Sequence, residues 1–264
     1  MRIKMTFTDL NGQDIILPVR STKYFLHYLI YSTFSVQMAR KLYLEGFPIN
    51  GRKFKLFVFS DILERGKLLR NKHINFGKQI TFYFSSPLDN VLDDFGENVI
   101  QKKTIPFNAL HLHLEKIFFE EEYVFADDIL AHTLSPITEY STFEHNGKKL
   151  RYYYRPTESE FKHLIEENAK KKYVIIKQAQ GMSVDENAVK DLHLDIEPYR
   201  FSLKEDEKIV YFKGTVIRGY TGVYRLTGSP ELIKTTYNAG LGAQSSQGFG
   251  MWEVWNNNTE VKNA

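Results

Sequence analysis

The sequence predicts an α+β protein built from two tandem ferredoxin-like (RRM-like) β-α-β-β-α-β domains. Two observations predict it. Strand-like alternation and helix-like periodicity follow one another in the order β-α-β-β-α-β, and that order then repeats. Hydrophobic residues make up 42% of the 264 residues and aromatics 14%, enough for packed cores and too much for a disordered chain. A break near residues 122–127 divides the chain into domains 1–125 and 126–264.

The first half opens with a strand over residues 2–8, turning near Asn11-Gly12. A helix over residues 22–34 follows. On a helical wheel Phe25, Leu26, Leu29, Ile30 and Thr33 share one side. Tyr24, His27 and Tyr31 share the other, which should face solvent or a partner. A second helix over residues 36–44 ends at Gly46. Strands are expected at residues 54–59 and 79–85, then a helix over 87–101 with Leu88, Val91, Leu92 and Phe95 in one stripe. The alternating Leu110-His111-Leu112-His113-Leu114 closes the half as a strand.

In the second half, residues 129–143 read as one strand, and His145-Asn146-Gly147 as a hairpin turn into residues 148–154. Thr157-Glu158-Ser159-Glu160 reads as a capping box opening a helix to about residue 172. Strands are expected at 192–203 and 208–218. A helix over 229–238 comes next, with Ser229 as its N-cap, Pro230 at its first position and Gly240 at its C-terminal end.

After that helix comes Gly240-Leu241-Gly242-Ala243-Gln244-Ser245-Ser246-Gln247-Gly248-Phe249-Gly250, then a strand from Met251. Glycine admits positive φ and removes the Cβ that would keep a ligand from the main chain, so exposed N–H groups here could bind phosphate oxygens. A long turn is the competing explanation. The order helix, loop, strand is the reverse of a P-loop or dinucleotide fingerprint.

The net charge is only +3, but ten Lys/Arg against three acids lie between Arg40 and Lys78. A second basic run, Lys148-Lys149-Leu150-Arg151-Tyr152-Tyr153-Tyr154-Arg155, interleaves tyrosines. Such runs suit phosphate contact and base stacking, or are simply solvated faces. No apolar run approaches the about 20 residues of a membrane helix. With no cysteine there is neither a disulfide nor a thiolate metal site, and a cytoplasmic location is expected. His111 and His113 share a strand face without an acidic constellation, so no metal site is expected.

The glycine loop resembles the C-terminal signature of the CRISPR repeat-processing endoribonucleases, members of the repeat-associated (RAMP) superfamily with two tandem ferredoxin-like domains. Leu29-Ile30-Tyr31-Ser32, Glu45-Gly46, residues 54–60 and Leu134-Ser135-Pro136-Ile137 resemble further motifs, so the likeness covers nearly the whole chain. The resemblance implies cleavage of CRISPR precursor RNA within each repeat, without cofactor or metal. The 2′-hydroxyl attacks the adjacent phosphate, leaving a 2′,3′-cyclic phosphate and a 5′-hydroxyl. It also implies CRISPR repeat RNA as partner and a CRISPR effector complex as receiver of the product. Tyr31 and Lys55 match the family's catalytic tyrosine and lysine. The family's histidine position holds Tyr43, a phenol that titrates at about 10 in model peptides and is a poor base at neutral pH. His27, one turn before Tyr31, is the candidate replacement. RNA binding is expected at Gly240, Gly242, Gln244, Ser245, Ser246, Gly248, Phe249 and Gly250, with Arg52 and Lys53. The alternatives are a non-cleaving repeat-RNA binder that has lost the histidine, and an unrelated tandem RNA-binding protein. Nothing in the chain specifies an oligomeric state.

Overall fold

The computed structural model describes residues 1–49 and 51–255. Strand β1 (Arg2–Asp9) turns Ile3, Met5 and Phe7 inward, and helix α1 (Thr22–Thr33) covers them with Phe25, Leu26, Leu29 and Ile30. Then come β2 (Val58–Phe59), β3 (Gln79–Ser85), α2 (Asp89–Gln101) and β4 (Leu110–Glu120). The sheet order is β2-β3-β1-β4, all antiparallel, with Ile105–Phe107 on the outer edge of β4. The crossover through α1 skips one place, which β3 then fills.

The second half repeats this order. Strand β5 (Asp128–Thr133), helix α3 (Ser159–Ala179), strands β6 (Leu194–Arg200) and β7 (Val223–Gly228), helix α4 (Pro230–Ala239) and strand β8 (Trp252–Val254) form the sheet β6-β7-β5-β8. Each sheet carries its own apolar cluster, and the α+β tandem ferredoxin-like class expected from the sequence holds. No helix among the described residues is long and apolar enough to cross a membrane.

Several element expectations are corrected. Residues 54–59 are not one strand: Arg52–Phe54 pairs with Phe47–Ile49, and only Val58–Phe59 joins the sheet. Leu56, at φ 52, takes the backbone out of the extended region and interrupts the run between the two pairings. Residues 129–143 likewise split into β5 and the first strand of the hairpin Tyr140–His145/Lys148–Tyr153. The expected strand at 208–218 is itself a hairpin, Glu207–Phe212/Thr215–Tyr220, turned at Lys213 and Gly214 with φ 47 and 78. The sheet place assigned to it belongs to β7. The capping box expected at Thr157–Glu160 does not form: Glu158 stands at the cap with no side-chain cap bond, and its carboxylate accepts from the Arg155 amide and the Tyr152 hydroxyl. Helix α3 runs past Lys172 to Ala179 because Ile175 and Ile176 join the cluster under the first sheet.

The two halves grip each other. Arg2, buried in β1, stacks 3.2 Å from the Tyr237 ring centroid of α4 and donates to that residue's carbonyl at 2.8 Å. Val58, Tyr83 and Met251 form a small shared cluster.

Candidate functional site

The glycine loop lies at this junction, and its two ends are sealed. Gly240, Gly242, Gly248, Phe249 and Gly250 are buried. The amide of Leu241 donates to Gly250 O at 2.8 Å, Gly250 to Pro136 O at 2.9 Å, Ala243 to Thr138 O at 2.9 Å and Gly248 to Ser245 O at 2.9 Å. A Cβ on Gly248 would stand 2.4 Å from the Phe59 ring, and one on Gly250 1.9 Å from Leu241 O. The glycines therefore admit neighbouring protein atoms, and the open main chain expected at these positions is replaced by close packing, between the halves at Gly248 and within the second half at Gly250.

Two buried lysines tie the loop down. Lys172 of α3 donates to Gly240 O at 2.7 Å, Gly242 O at 2.8 Å and Ser245 Oγ at 2.8 Å. Lys23 of α1 donates to Gly248 O and pairs with Asp61 at 2.6 Å. Burial pushes the Lys172 ammonium below its ordinary range and the neighbouring Glu139 carboxyl above its own.

Only the middle of the loop, Ala243, Gln244, Ser246 and Gln247, keeps partial exposure. It lines a cleft of about 460 Å³ together with Arg52, Lys53, Lys55, Tyr140 and Asn168. The acceptors Gln244 Oε1 and Asn168 Oδ1 have no hydrogen-bond partner among the described residues. The structure thus joins Gln244, Ser245, Ser246, Arg52, Lys53 and Lys55 in one basic cleft.

Beside it lies an aromatic cluster. His27 and Tyr31, one turn apart on α1, have ring centroids 4.6 Å apart, and Tyr43 meets Tyr31 edge-on at 5.9 Å. His27 faces neither solvent nor an external partner: Phe212 of the second-half hairpin covers it at 5.2 Å, leaving it 9% exposed. Burial, helped by nearby Lys213, lowers its pKa to about 4, so the imidazole is neutral at physiological pH. Burial and Tyr43 raise the Tyr31 phenol, which stays protonated. Tyr43 is 59% exposed. Lys55, lowered by burial and by Lys53, turns its ammonium to the carbonyls of Leu42 and Tyr43, the latter at 2.8 Å. Lys213 Nζ stands 5.5 Å from the Tyr43 ring centroid.

Such a site offers phenols as donors, ammonium groups as counter-charges and a neutral imidazole as acceptor. Among the described residues no group of three His, Asp or Glu side chains could hold a metal ion. The sequence reading passed over Lys23, Lys172, Asn168 and Lys213. A Lys-Gly pair between two alternating runs was a hairpin signal for Lys213. The buried lysines carry no local signal, because long-range packing buries them.

Comparison with known proteins gives a consistent likeness. The family described as CRISPR associated protein Cas6, C-terminal, matches residues 119–254. The CRISPR-associated endoribonuclease Cas6 1 of Methanocaldococcus jannaschii is 24% identical over 256 residues, 95% of this chain and 91% of that protein. The CRISPR-associated endoribonuclease Cas6 of Pyrococcus furiosus is 28% identical over 180 residues, 67% of this chain and 61% of that protein. A solved structure described as CRISPR associated protein Cas6 superposes with a TM-score of 0.74 at 23% identity, covering 97% of this chain and 99% of that one.

Proposed function

The chain belongs to the CRISPR-associated Cas6 family, and from that premise we propose that it is an endoribonuclease that cuts CRISPR precursor RNA within its repeats. The observation that carries this reading is the junction of Lys55 with both the basic cleft and the backbone of Tyr43, beside Tyr31. A single strand lying along Arg52 and Lys53 delivers its phosphate to Lys55 with two phenols at hand.

The reaction needs no metal, because the nucleophile is the RNA's own 2′-hydroxyl. Its oxygen forms a bond to the adjacent phosphorus, the bond to the 5′-oxygen breaks, and a 2′,3′-cyclic phosphate and a 5′-hydroxyl remain. The proton leaving the 2′-oxygen passes to water. Tyr31, kept protonated by burial, gives its proton to the departing 5′-oxygen. Lys55 and the exposed Tyr43 phenol bind the phosphate oxygens. His27 orients Tyr31 by ring contact. In this reading residues 1–125 carry the cutting groups, and residues 126–264 hold the RNA through Gln244 and Ser246, Ser245 being buried under Lys172, before the product passes to a CRISPR effector complex.

One observation favours a second reading, a repeat-RNA binder that does not cut. Tyr43 occupies the family's histidine position, and the nearby imidazole is buried with a pKa of about 4. Repeat RNA incubated with protein and EDTA separates the two. Cutting blocked by one 2′-deoxy substitution at the scissile nucleotide supports the enzyme. Retention of intact RNA in a gel shift, without cutting, supports the binder and overturns the first reading.

A further inference from the structure

The hairpin Glu207–Phe212/Thr215–Tyr220 leaves its own sheet and lies against the first half of the molecule. Three consecutive residues, the last two of its first strand and the first of its turn, each meet a different first-half side chain. Arg20 stacks on Tyr211 at 4.3 Å, His27 meets Phe212 at 5.2 Å, and Lys213 reaches over the Tyr43 ring at 5.5 Å. Phe212 acts as the anchor, 6% exposed, and the turn residue Lys213 is carried past it into solvent.

Lys213 and Lys55 are differently committed. A lysine ammonium has three N–H donors. Two of those on Lys55 are taken by the carbonyls of Leu42 and Tyr43. The ammonium of Lys213 meets only the Tyr43 and Phe212 rings, with no carboxylate partner among the described residues. It is exposed, it projects over the more exposed of the two phenols, and it leaves all three N–H groups for an anion.

We infer that Lys213 is a further catalytic residue, the cation that meets the scissile phosphate from the second half of the chain. The inference rests on the endoribonuclease reading above. As the bond from the 2′-oxygen to phosphorus forms and the bond to the 5′-oxygen breaks, charge builds on the non-bridging oxygens, and Lys213 pairs with it there. Lys213 forms no covalent bond and transfers no proton. A preorganised cation aimed at developing charge lowers the barrier more than it strengthens ground-state binding. The cutting site is then shared between the halves: α1 supplies the phenol, and the hairpin supplies the counter-charge that the residue at the family's histidine position cannot.

The test is single-turnover cleavage of repeat RNA by full-length protein, with Kd measured in parallel on RNA carrying a 2′-deoxy block. Lys213→Asn removes the charge while suiting the left-handed turn position, so folding is retained. Its rate at saturating protein should fall about 10-fold to 100-fold, with Kd changed by less than about 3-fold, and Lys213→Arg should restore most of the rate. Lys208→Gln, the same charge loss at the base of the hairpin where Lys208 bonds Glu205 O, should cut at the parental rate. A parental rate in Lys213→Asn, or a rate loss fully accounted for by Kd, would overturn the assignment while the enzyme reading stands. Parental protein that binds the repeat without cutting it sinks both.

Discussion

The burial of His27 makes a quantitative prediction that separates it from an ordinary catalytic histidine. Its pKa falls from 6.5 to about 4 on folding. The folded chain therefore binds fewer protons than the unfolded chain between those two values. The stability associated with the neutral imidazole is complete above pH 6.5 and is lost as the pH falls towards 4. At about 1.4 kcal/mol per pH unit the gap bounds the loss at about 3 kcal/mol, most of which disappears between pH 7 and pH 4.5. Urea unfolding of the parental protein and of His27→Leu at both pH values isolates this contribution, because Glu139, Lys172 and the surface carboxylates titrate alike in both. The parental midpoint should drop further than that of the variant by the urea equivalent of about 2 kcal/mol, with m unchanged. Parallel pH dependences would refute the burial argument. The same physics bears on the reaction: a site whose imidazole is already neutral shows no limb near pH 6.5 in its cleavage rate. A limb there would mean that His27 titrates in the open and that the hairpin does not cover it.

Three other outcomes follow from the geometry. Gly248→Ala places a methyl against the Phe59 ring at φ +84 and should cost about 1–3 kcal/mol in urea unfolding; unchanged stability would mean that the halves are not packed through the loop. Lys172→Met strips the donor from Gly240 O, Gly242 O and Ser245 Oγ beside buried Glu139, and should cost about 3 kcal/mol or more, partly recovered by adding Glu139→Gln. A double mutant no more stable than Lys172→Met would dissolve the pairing of these two residues. Lys53→Gln should weaken repeat-RNA binding and flatten the dependence of log K on log salt by about 0.7, the value for one single-strand phosphate contact. Titration across salt concentrations reads this directly, and an unaltered slope would place Lys53 off the RNA path.

Much of the molecule was legible in one dimension because the forces concerned are local. The apolar stripe of α1, the strands β1 and β3, Pro230 at the start of α4 and the Asn146-Gly147 turn depend on neighbours within a few residues, and each took the expected form. Where expectation failed, tertiary packing had overruled a local pattern. The left-handed backbone at Leu56 interrupted the expected strand, and β7, bounded by Gly222 and Gly228, took the sheet place that the 208–218 run had promised to fill.

The amino-acid order by itself determined the repeated β-α-β-β-α-β plan and the family likeness, since periodicity and motif spacing are properties of the chain. It also put Tyr31, Tyr43, Lys55 and a glycine loop within one chain. Only the folded molecule decided that Gly248 admits Phe59 in place of a phosphate, that His27 is neutral, and that Lys213 stands over Tyr43. Each of those facts turns on desolvation or steric contact between the two halves, as between His27 and Phe212, and such energies exist only once the distant segments have met.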